Sequence, residues 1–414
     1  MRRVVVTGMG TVNPTGLSVD ESFNNVVNGV NGIDYIKSFD TSNLKVKIAG
    51  ELKNFSLEDH FTRSDIRRND RVILYGLLAA KEAMEQANLV DFTFDPYRFG
   101  VFFTSGIGGL DTLAEEITTA ATKGPSRISP FFIPKAIINM VGGAISIKYG
   151  LKGPNTPIVT ACSASTNSIG EAFRNIKHGY IDVAITGGSE APINEIGVGG
   201  FASIKALSTT DDPNRASIPF DAERNGFVMG EGSGALILEE YEHAKKRGAT
   251  IFAEIVGYGT TGDAFHITAP DESAEPITKA IELALKEGNV DYTKIDYINA
   301  HGTSTLLNDQ VETLGIKKAF KEHAKNINIS STKSMTGHTL GAAGAIESIF
   351  AIKAIQTSTV PPTLNLLKPD PQLDLNYTPN KAVKRNINYS MNMNLGFGGH
   401  NAVLVFKKVE DKND

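Results

Sequence analysis

The sequence predicts an α/β fold, and three observations carry that reading. Short β-branched runs recur at Val4–Val6, Val101–Thr104, Val183–Thr186 and Ile251–Val256, each followed closely by glycine. Segments of helical periodicity lie between them, "RVILYGLLAAKEAMEQAN" and "EPITKAIELALKEG" among them, the second ending in a glycine cap. The layout also repeats. A strand closing on glycine opens each half ("RRVVVTGMG" and "IFAEIVGYG"), and a strand-to-helix step follows in each. The first step runs from "PIVTA" into "NSIGEAFRNIKHG", the second from "NINISST" into "GAIESIFAIKAI". Alternating strands and helices build a sheet covered by helices. The repeat divides the chain into an N-terminal half, residues 1–250, and a C-terminal half, residues 251–414. The charged end "KKVEDKND" is expected to fray.

Composition narrows the function. A net charge of −5 argues against a general nucleic-acid or membrane-surface binder, which would be basic. No apolar run approaches the roughly 20 residues of a membrane span. The start "MRRVVVTGMG" lacks the apolar core of a secretory signal, so the expected compartment is the cytoplasm. The Asn-x-Ser sequons at Asn54, Asn328 and Asn388 are then chance matches. "GMGTVN" supplies only the first two glycines of a dinucleotide fingerprint and no acidic partner, so nucleotide binding is not expected.

Cys162 is the only cysteine in 414 residues, so it has no disulfide partner in the chain. A lone cysteine is commonly a small buried residue. Here it sits where a β-branched run gives way to a helix, the layout of a nucleophile elbow with sulfur in place of oxygen. Backbone N–H groups and the helix dipole at such a turn favour thiolate, which predicts a lowered pKa. Ala161, Ser163, Ala164 and Ser165 are small and leave room for a substrate.

Two histidines stand apart from the other six. His301 follows an apolar strand in "INAHGTSTLLND", and His338 lies at a helix start in "STKSMTGHTLGAAGAIES". Either alone reads equally well as a turn or capping residue. Glu347 interrupts an apolar helix, and Lys333 lies at the preceding strand end. A buried carboxylate must be paired or neutralised, so the two are expected to form an ion pair fixing the His338 turn. The alternative is a Glu347 that faces water.

Taken together, "TACSASTNSIGEAF", "GFVMGEGSG", "NAHGTST", "SSTKSMTGH", "LGAAGAIE" and "LGFGGHNAV" resemble the elongating β-ketoacyl-acyl-carrier-protein synthases, the condensing enzymes of fatty-acid synthesis. The resemblance spans essentially the whole chain and is closest to the bacterial type II enzymes. It implies the thiolase-like fold, two related halves in a five-layered α-β-α-β-α arrangement.

The resemblance also implies the chemistry. Cys162 takes the acyl chain from acyl-carrier protein as a thioester. Malonyl-carrier protein loses CO₂, and the resulting enolate attacks that thioester. His301 and His338 donate to the malonyl thioester oxygen, which requires neutral imidazoles, each with a second partner fixing its tautomer. Lys333 joins Cys162, His301 and His338 as a catalytic residue, and Glu347 supports it. Backbone N–H groups of Cys162 and Phe397 form the oxyanion hole, Phe397 is the gate between flexible glycines, and Gly398 is among the substrate-binding residues. Thr303 and Thr305 contact the pantetheine arm or water near the malonyl carboxylate. Ile107 and Phe201 line the acyl pocket. Arg63, Arg67, Arg68 and Lys205 offer a basic patch to the acidic carrier protein, although "TRSDIRRNDR" also reads as a solvated helix start. No cofactor and no metal is expected, and the partner besides carrier protein is a second copy, a homodimer touching through "IINMVGGAISIKYGLKGPN".

The chain departs from the family pattern at Leu306, where proline is usual, at Thr339, where leucine is common, and in "CSAS". These departures bear on pocket shape and spare every catalytic group. A polyketide-type ketosynthase shares the Cys-His-His set and is the alternative. An initiating synthase uses Cys-His-Asn, a thiolase needs a second cysteine, and a non-catalytic subunit lacks the nucleophile.

Overall fold

The computed structural model describes residues 1–409; the end of the chain expected to fray lies, from residue 410 on, outside the described residues. Nine strands form one mixed sheet: β1 (Val4–Val12), β2 (Phe99–Thr104), β3 (Val183–Glu190), β4 (Gly232–Glu240), β5 (Ala253–Gly262), β6 (Tyr297–Asn299), β7 (Asn328–Ser330), β8 (Tyr389–Gly396) and β9 (His400–Lys407). Their spatial order is β2-β3-β4-β1-β5-β9-β8-β6-β7. The order hides a pseudo-symmetry. In the first half β1 pairs antiparallel with β4, β4 antiparallel with β3, and β3 parallel with β2. In the second half β5, β9, β8 and β6 repeat that sequence of directions. The halves join through a short antiparallel contact in which Val4, Val5 and Val6 face Ile255, Glu254 and Ala253.

Glycines in the two opening strands mark places of close helix approach. A Cβ at Gly8 or Gly10 of β1 would lie 2.2 and 2.1 Å from Ala83 O and Ala79 O of α1 (Arg71–Gln86). Gly257 and Gly259 of β5 stand equally close to Ala284 O and Ala280 O of the helix Glu275–Gly288. The "GMG" that imitates a dinucleotide loop therefore serves helix–strand packing.

Helices complete five layers. In chain order α2 is Met140–Tyr149, α3 Ala164–Lys177, α4 Glu275–Gly288, α5 Leu306–Phe320 and α6 Ala343–Thr357. α1 and α2 cover the outer face of the first half-sheet, α4 with α5 the outer face of the second, and α3 and α6 lie between the two. Helices packed on both sides must be apolar all round. α6 accordingly buries 12 of its 15 residues, Glu347 among them.

Two local expectations are corrected. "PIVTA" is not a strand. Only Asn155 bridges to Val101, with Thr156 N donating to Val101 O at 2.9 Å. Pro154 and Pro157 lack the N–H groups that a continuing ladder needs. Helix α4 is capped not by glycine but by Asn289, in the left-handed region at φ 49°. Asn is among the few side chains that adopt this conformation readily.

Candidate active site

Cys162 lies in a tight turn, Ala161–Ser163, that feeds α3. Ala161 is held at φ 50°, a conformation that costs a non-glycine residue on the order of 1 kcal/mol and aims the next side chain sharply. The elbow is real, although a 3-10 turn rather than a strand leads into it. Gly396 makes it possible. A Cβ there would lie 2.5 Å from Thr160 O and 3.2 Å from Cys162 N. Its bare backbone brings the β8–β9 hairpin, with Phe397, against the nucleophile. The backbone N–H groups of Phe397 and of Cys162 itself act on the thiol in the direction that favours thiolate, and they are the pair expected of an oxyanion hole.

The thiol's acidity differs from expectation. Burial pushes the Cys162 thiol up to about 12, outweighing the Lys333 charge and the Phe397 N–H, which favour thiolate; Glu190 adds to the rise. The turn supplies donors, but the sulfur is too far from water for their effect to dominate.

His301 follows β6 and His338 follows the turn of helix Lys333–Thr336, so both come from the second half. Their rings meet edge to face with centroids 5.2 Å apart, and both are buried. Each Nδ1 accepts a hydrogen bond: His301 from Asn394 Nδ2 at 3.2 Å, His338 from Leu340 N at 3.3 Å. The remaining hydrogen on each ring is therefore on Nε2. Burial, with Lys333 nearby, holds both histidines well below the usual imidazole range, so both are neutral donors near pH 7.

Lys333 and Glu347 form a buried ion pair. Asn394 Nδ2 also donates to Glu347 Oε2 at 2.7 Å, so a single amide links the pair to His301. On the other side of His301, Glu312 accepts from the backbone N–H groups of His301 at 2.5 Å and Gly302 at 2.7 Å. Burial raises that carboxyl to about 8.

These groups converge on one cavity of about 270 Å³ that takes Cys162, His301, His338, Thr303, Thr305 and Phe397 into its wall. Thr303 and Thr305 share a hydroxyl hydrogen bond of 2.9 Å. Phe201 also lines the cavity, and its ring lies 6.5 Å from that of Phe397 and 5.6 Å from that of Phe227, which in turn meets His338 edge-on. Ile107 is not on the wall; it packs in the apolar cluster behind Cys162. Gly398 is outside the wall as well, at φ 87°, its N–H donating to Ile267 O at 2.8 Å. Flexibility beside Phe397 is thus one-sided, since Gly396 serves close approach. Arg63, Arg67 and Arg68 are exposed on the short helix Arg63–Arg68 and take no part in the cavity. Lys205 is exposed between the wall residues Ile204 and Ala206.

Sequence reasoning missed Asn394, Glu312 and Glu190. Asn394 had one available signal, two amides alternating with methionines in "MNMNLG". Among the described residues no cluster of metal-ligating side chains occurs, and no helix is long and apolar enough to cross a membrane.

A buried thiol and two neutral imidazole donors around one cavity are the parts that a condensing acyltransferase requires. Comparison with known proteins agrees. Residues 1–244 match the β-ketoacyl synthase N-terminal domain and residues 252–367 the β-ketoacyl synthase C-terminal domain. The chain is 50% identical over 411 residues to 3-oxoacyl-[acyl-carrier-protein] synthase 2 of Staphylococcus aureus (strain N315), covering 99% of each chain. Identity to the enzyme of the same name from Coxiella burnetii is 45%, again over 99% of each. Among solved structures, a β-ketoacyl synthase from Burkholderia phymatum superposes with a TM-score of 0.92 at 33% identity, covering 99% of this chain and 100% of that one. A type II polyketide ketosynthase, in complex with its acyl-carrier protein and bound to a hexaketide, gives 0.91 at 35%, with the same coverage. The chain belongs to the β-ketoacyl synthase family, and its fold is thiolase-like.

Proposed function

We propose that this enzyme elongates a carrier-protein-bound fatty acyl chain by two carbons in type II fatty-acid synthesis. The Cys162 thiol attacks the acyl thioester, and its proton passes to the departing carrier-protein sulfur. Carrier-protein thiol leaves, and the oxygen charge rests on the N–H groups of Cys162 and Phe397. Malonyl-carrier protein then enters the emptied channel. As its carboxylate departs as CO₂, the electron pair moves onto the thioester oxygen, where His301 and His338 donate from Nε2. One such preorganised donor is worth about 3 kcal/mol in a dry site. The enolate carbon attacks the Cys162 thioester, forming the new carbon–carbon bond and releasing the sulfur.

The observation that carries this reading is the filled Nδ1 of both histidines, which leaves two Nε2–H donors for the cavity that contains the sulfur. The 50% identity to fatty-acid enzymes, against 35% to the polyketide ketosynthase, favours a fatty acyl substrate. Lys333 and Glu347 act through the histidines, and Thr303 and Thr305 are placed for the pantetheine arm. Phe397 gates, and Phe201 and Ile107 bound the acyl chain. No step uses a cofactor or a metal.

Two homologous halves meeting near residue 250 supply the parts, Cys162 from the first and both histidines from the second. The carrier protein docks on Arg63, Arg67, Arg68 and Lys205. The enzyme works in the cytoplasm as a homodimer, with exposed Ile137 and Ile147 at the contact, where Ile147→Glu would yield a monomer by light scattering.

The deciding experiment is intact-protein mass after mixing with acyl-carrier proteins of graded length and no malonyl donor. One acyl mass gained on Cys162 and absent from Cys162→Ala is the expected result. No gain from any donor would overturn the acyl-enzyme.

A further inference from the structure

Glu190 ends β3, is fully buried, and has no basic side chain paired with it among the described residues. A buried carboxylate so placed must be solvated by donors, and it is. Oε1 accepts from Ser105 Oγ at 2.6 Å and Ile107 N at 3.2 Å. Oε2 accepts from Gly106 N at 2.7 Å and Gly341 N at 2.9 Å. Ser105 Oγ is itself occupied as acceptor, from Gly108 N at 2.9 Å, so its own hydrogen points to Glu190. Burial pushes the Glu190 carboxyl above the usual carboxylate range, but all four contacts donate toward it, and only an acceptor-only, ionised group satisfies every one of them.

The two donor sets belong to different parts of the site. Residues 105–108 carry Ile107, behind the nucleophile. Gly341 belongs to the turn Leu340–Ala342, which packs against the Cys162 turn. Leu340 stands at φ 47°, a strained value for a leucine, and its N–H is the donor that occupies Nδ1 of His338. Fixing the next N–H, that of Gly341, holds Leu340 there. The two glycines are indispensable to the arrangement. A Cβ on Gly341 would lie 2.7 Å from Glu190 Oε2 and 2.3 Å from Gly106 N.

We propose that Glu190 is a positioning residue that pins the Leu340–Gly341 turn, and through it the Nε2–H tautomer of His338, while fastening the Ile107 loop to the same carboxylate. The inference rests on the donor role assigned to His338. A glutamine would turn an amide N–H₂ against two of the four donors, so charge and acceptor count matter as well as shape.

Three variants separate the possibilities, each assayed for CO₂ release from malonyl-carrier protein and for Cys162 acylation, with thermal unfolding recorded. In Glu190→Gln, decarboxylation falls about 10–100-fold, the scale seen when an orienting partner of a functional imidazole is lost, and acylation falls far less. Loss of the neighbouring charge also moves the pH profile of Cys162 alkylation to lower pH. Ser105→Ala loosens only the Ile107 side and leaves decarboxylation near wild type. Glu190→Asp keeps the charge and loses reach; it carries the test if the glutamine variant does not fold, again losing decarboxylation more than acylation. Equal losses in both half-reactions, tracking the melting temperature, would overturn the proposal, as would wild-type decarboxylation in Glu190→Gln. Should His338→Ala decarboxylate normally, the fault lies instead with the role given to His338.

Discussion

Asn394 donates from Nδ2 to Nδ1 of His301 at 3.2 Å, across 93 positions of sequence. The amide is fully committed. It donates also to Glu347, and its oxygen accepts from Thr166 Oγ1 at 2.5 Å and Asn392 Nδ2 at 3.1 Å. Asn394→Ala removes the group that fixes the His301 tautomer and leaves one Glu347 oxygen without its donor. Malonyl decarboxylation is expected to fall about 10–100-fold, with acylation of Cys162 affected less. Radiometric CO₂ release beside intact mass checks this; equal losses would contradict it.

The Lys333–Glu347 pair separates stability from catalysis. Lys333→Ala strands a buried carboxylate and is expected to cost about 3–5 kcal/mol. The double variant Lys333→Met, Glu347→Leu removes both charges and is expected to recover most of that loss in chemical denaturation while remaining inactive. Recovery of activity along with stability would show the pair to be scaffolding only.

Cys162 should alkylate slowly at neutral pH. With its thiol raised to about 12, the thiolate fraction grows tenfold per pH unit through the alkaline range. Iodoacetamide modification followed by mass is expected to rise from pH 7 to 10 without a plateau. Linkage gives the matching sign for stability. The unfolded thiol ionises near pH 9 and the folded one does not, so the folded state loses ground as pH rises from there toward 12. Cys162→Ala should flatten that alkaline limb.

The histidines give the opposite limb. Both are depressed, so the unfolded chain takes up protons below about pH 6.5 while the folded chain does not. Stability should decline as pH falls below that value. Decarboxylation by the folded enzyme should show no inflection between pH 7 and 6; a titration there would mean that an imidazolium forms in the site.

Gly396→Ala tests the oxyanion hole without touching a side chain. Its Cβ would collide with Thr160 O and crowd Cys162 N. Acyl transfer is expected to fall about 100-fold or more, in keeping with the loss of a preorganised donor. A variant that acylates at the wild-type rate would remove the Phe397 N–H from the mechanism.

What was legible in the sequence follows from where information is local. Cys162, His301, His338, Lys333 and Glu347 each sit in a short motif, and it is the set of motifs, not any one of them, that points to a shared site. Two strands closing on glycine mark β1 and β5 as the openings of the two halves, but their pairing with each other is not readable from those letters. Asn394, Glu312 and Glu190 could not be read that way. Glu190 acts on Gly341 from 151 residues away, and a carboxylate at a strand end announces no partner. The thiol's acidity was misjudged because a turn's donors are visible in sequence while the depth of burial is a property of five stacked layers. "PIVTA" has the letters of a strand, but prolines cut its ladder.

Two inner strands of the sheet come later in the sequence than the strands on either side of them. β8 and β9 form a hairpin inserted between β5 and β6, and they bring Asn394, Gly396 and Phe397 with them. A chain still on the ribosome before residue 389 has a gap where its sheet should be continuous, with β5 and β6 each presenting a bare edge open to other chains. It also has a cysteine with no Phe397 N–H beside it and a His301 of undefined tautomer. Without that hairpin the Cys162 turn has neither Gly396 nor Phe397 against it, and His301 has no Asn394 to hold its ring.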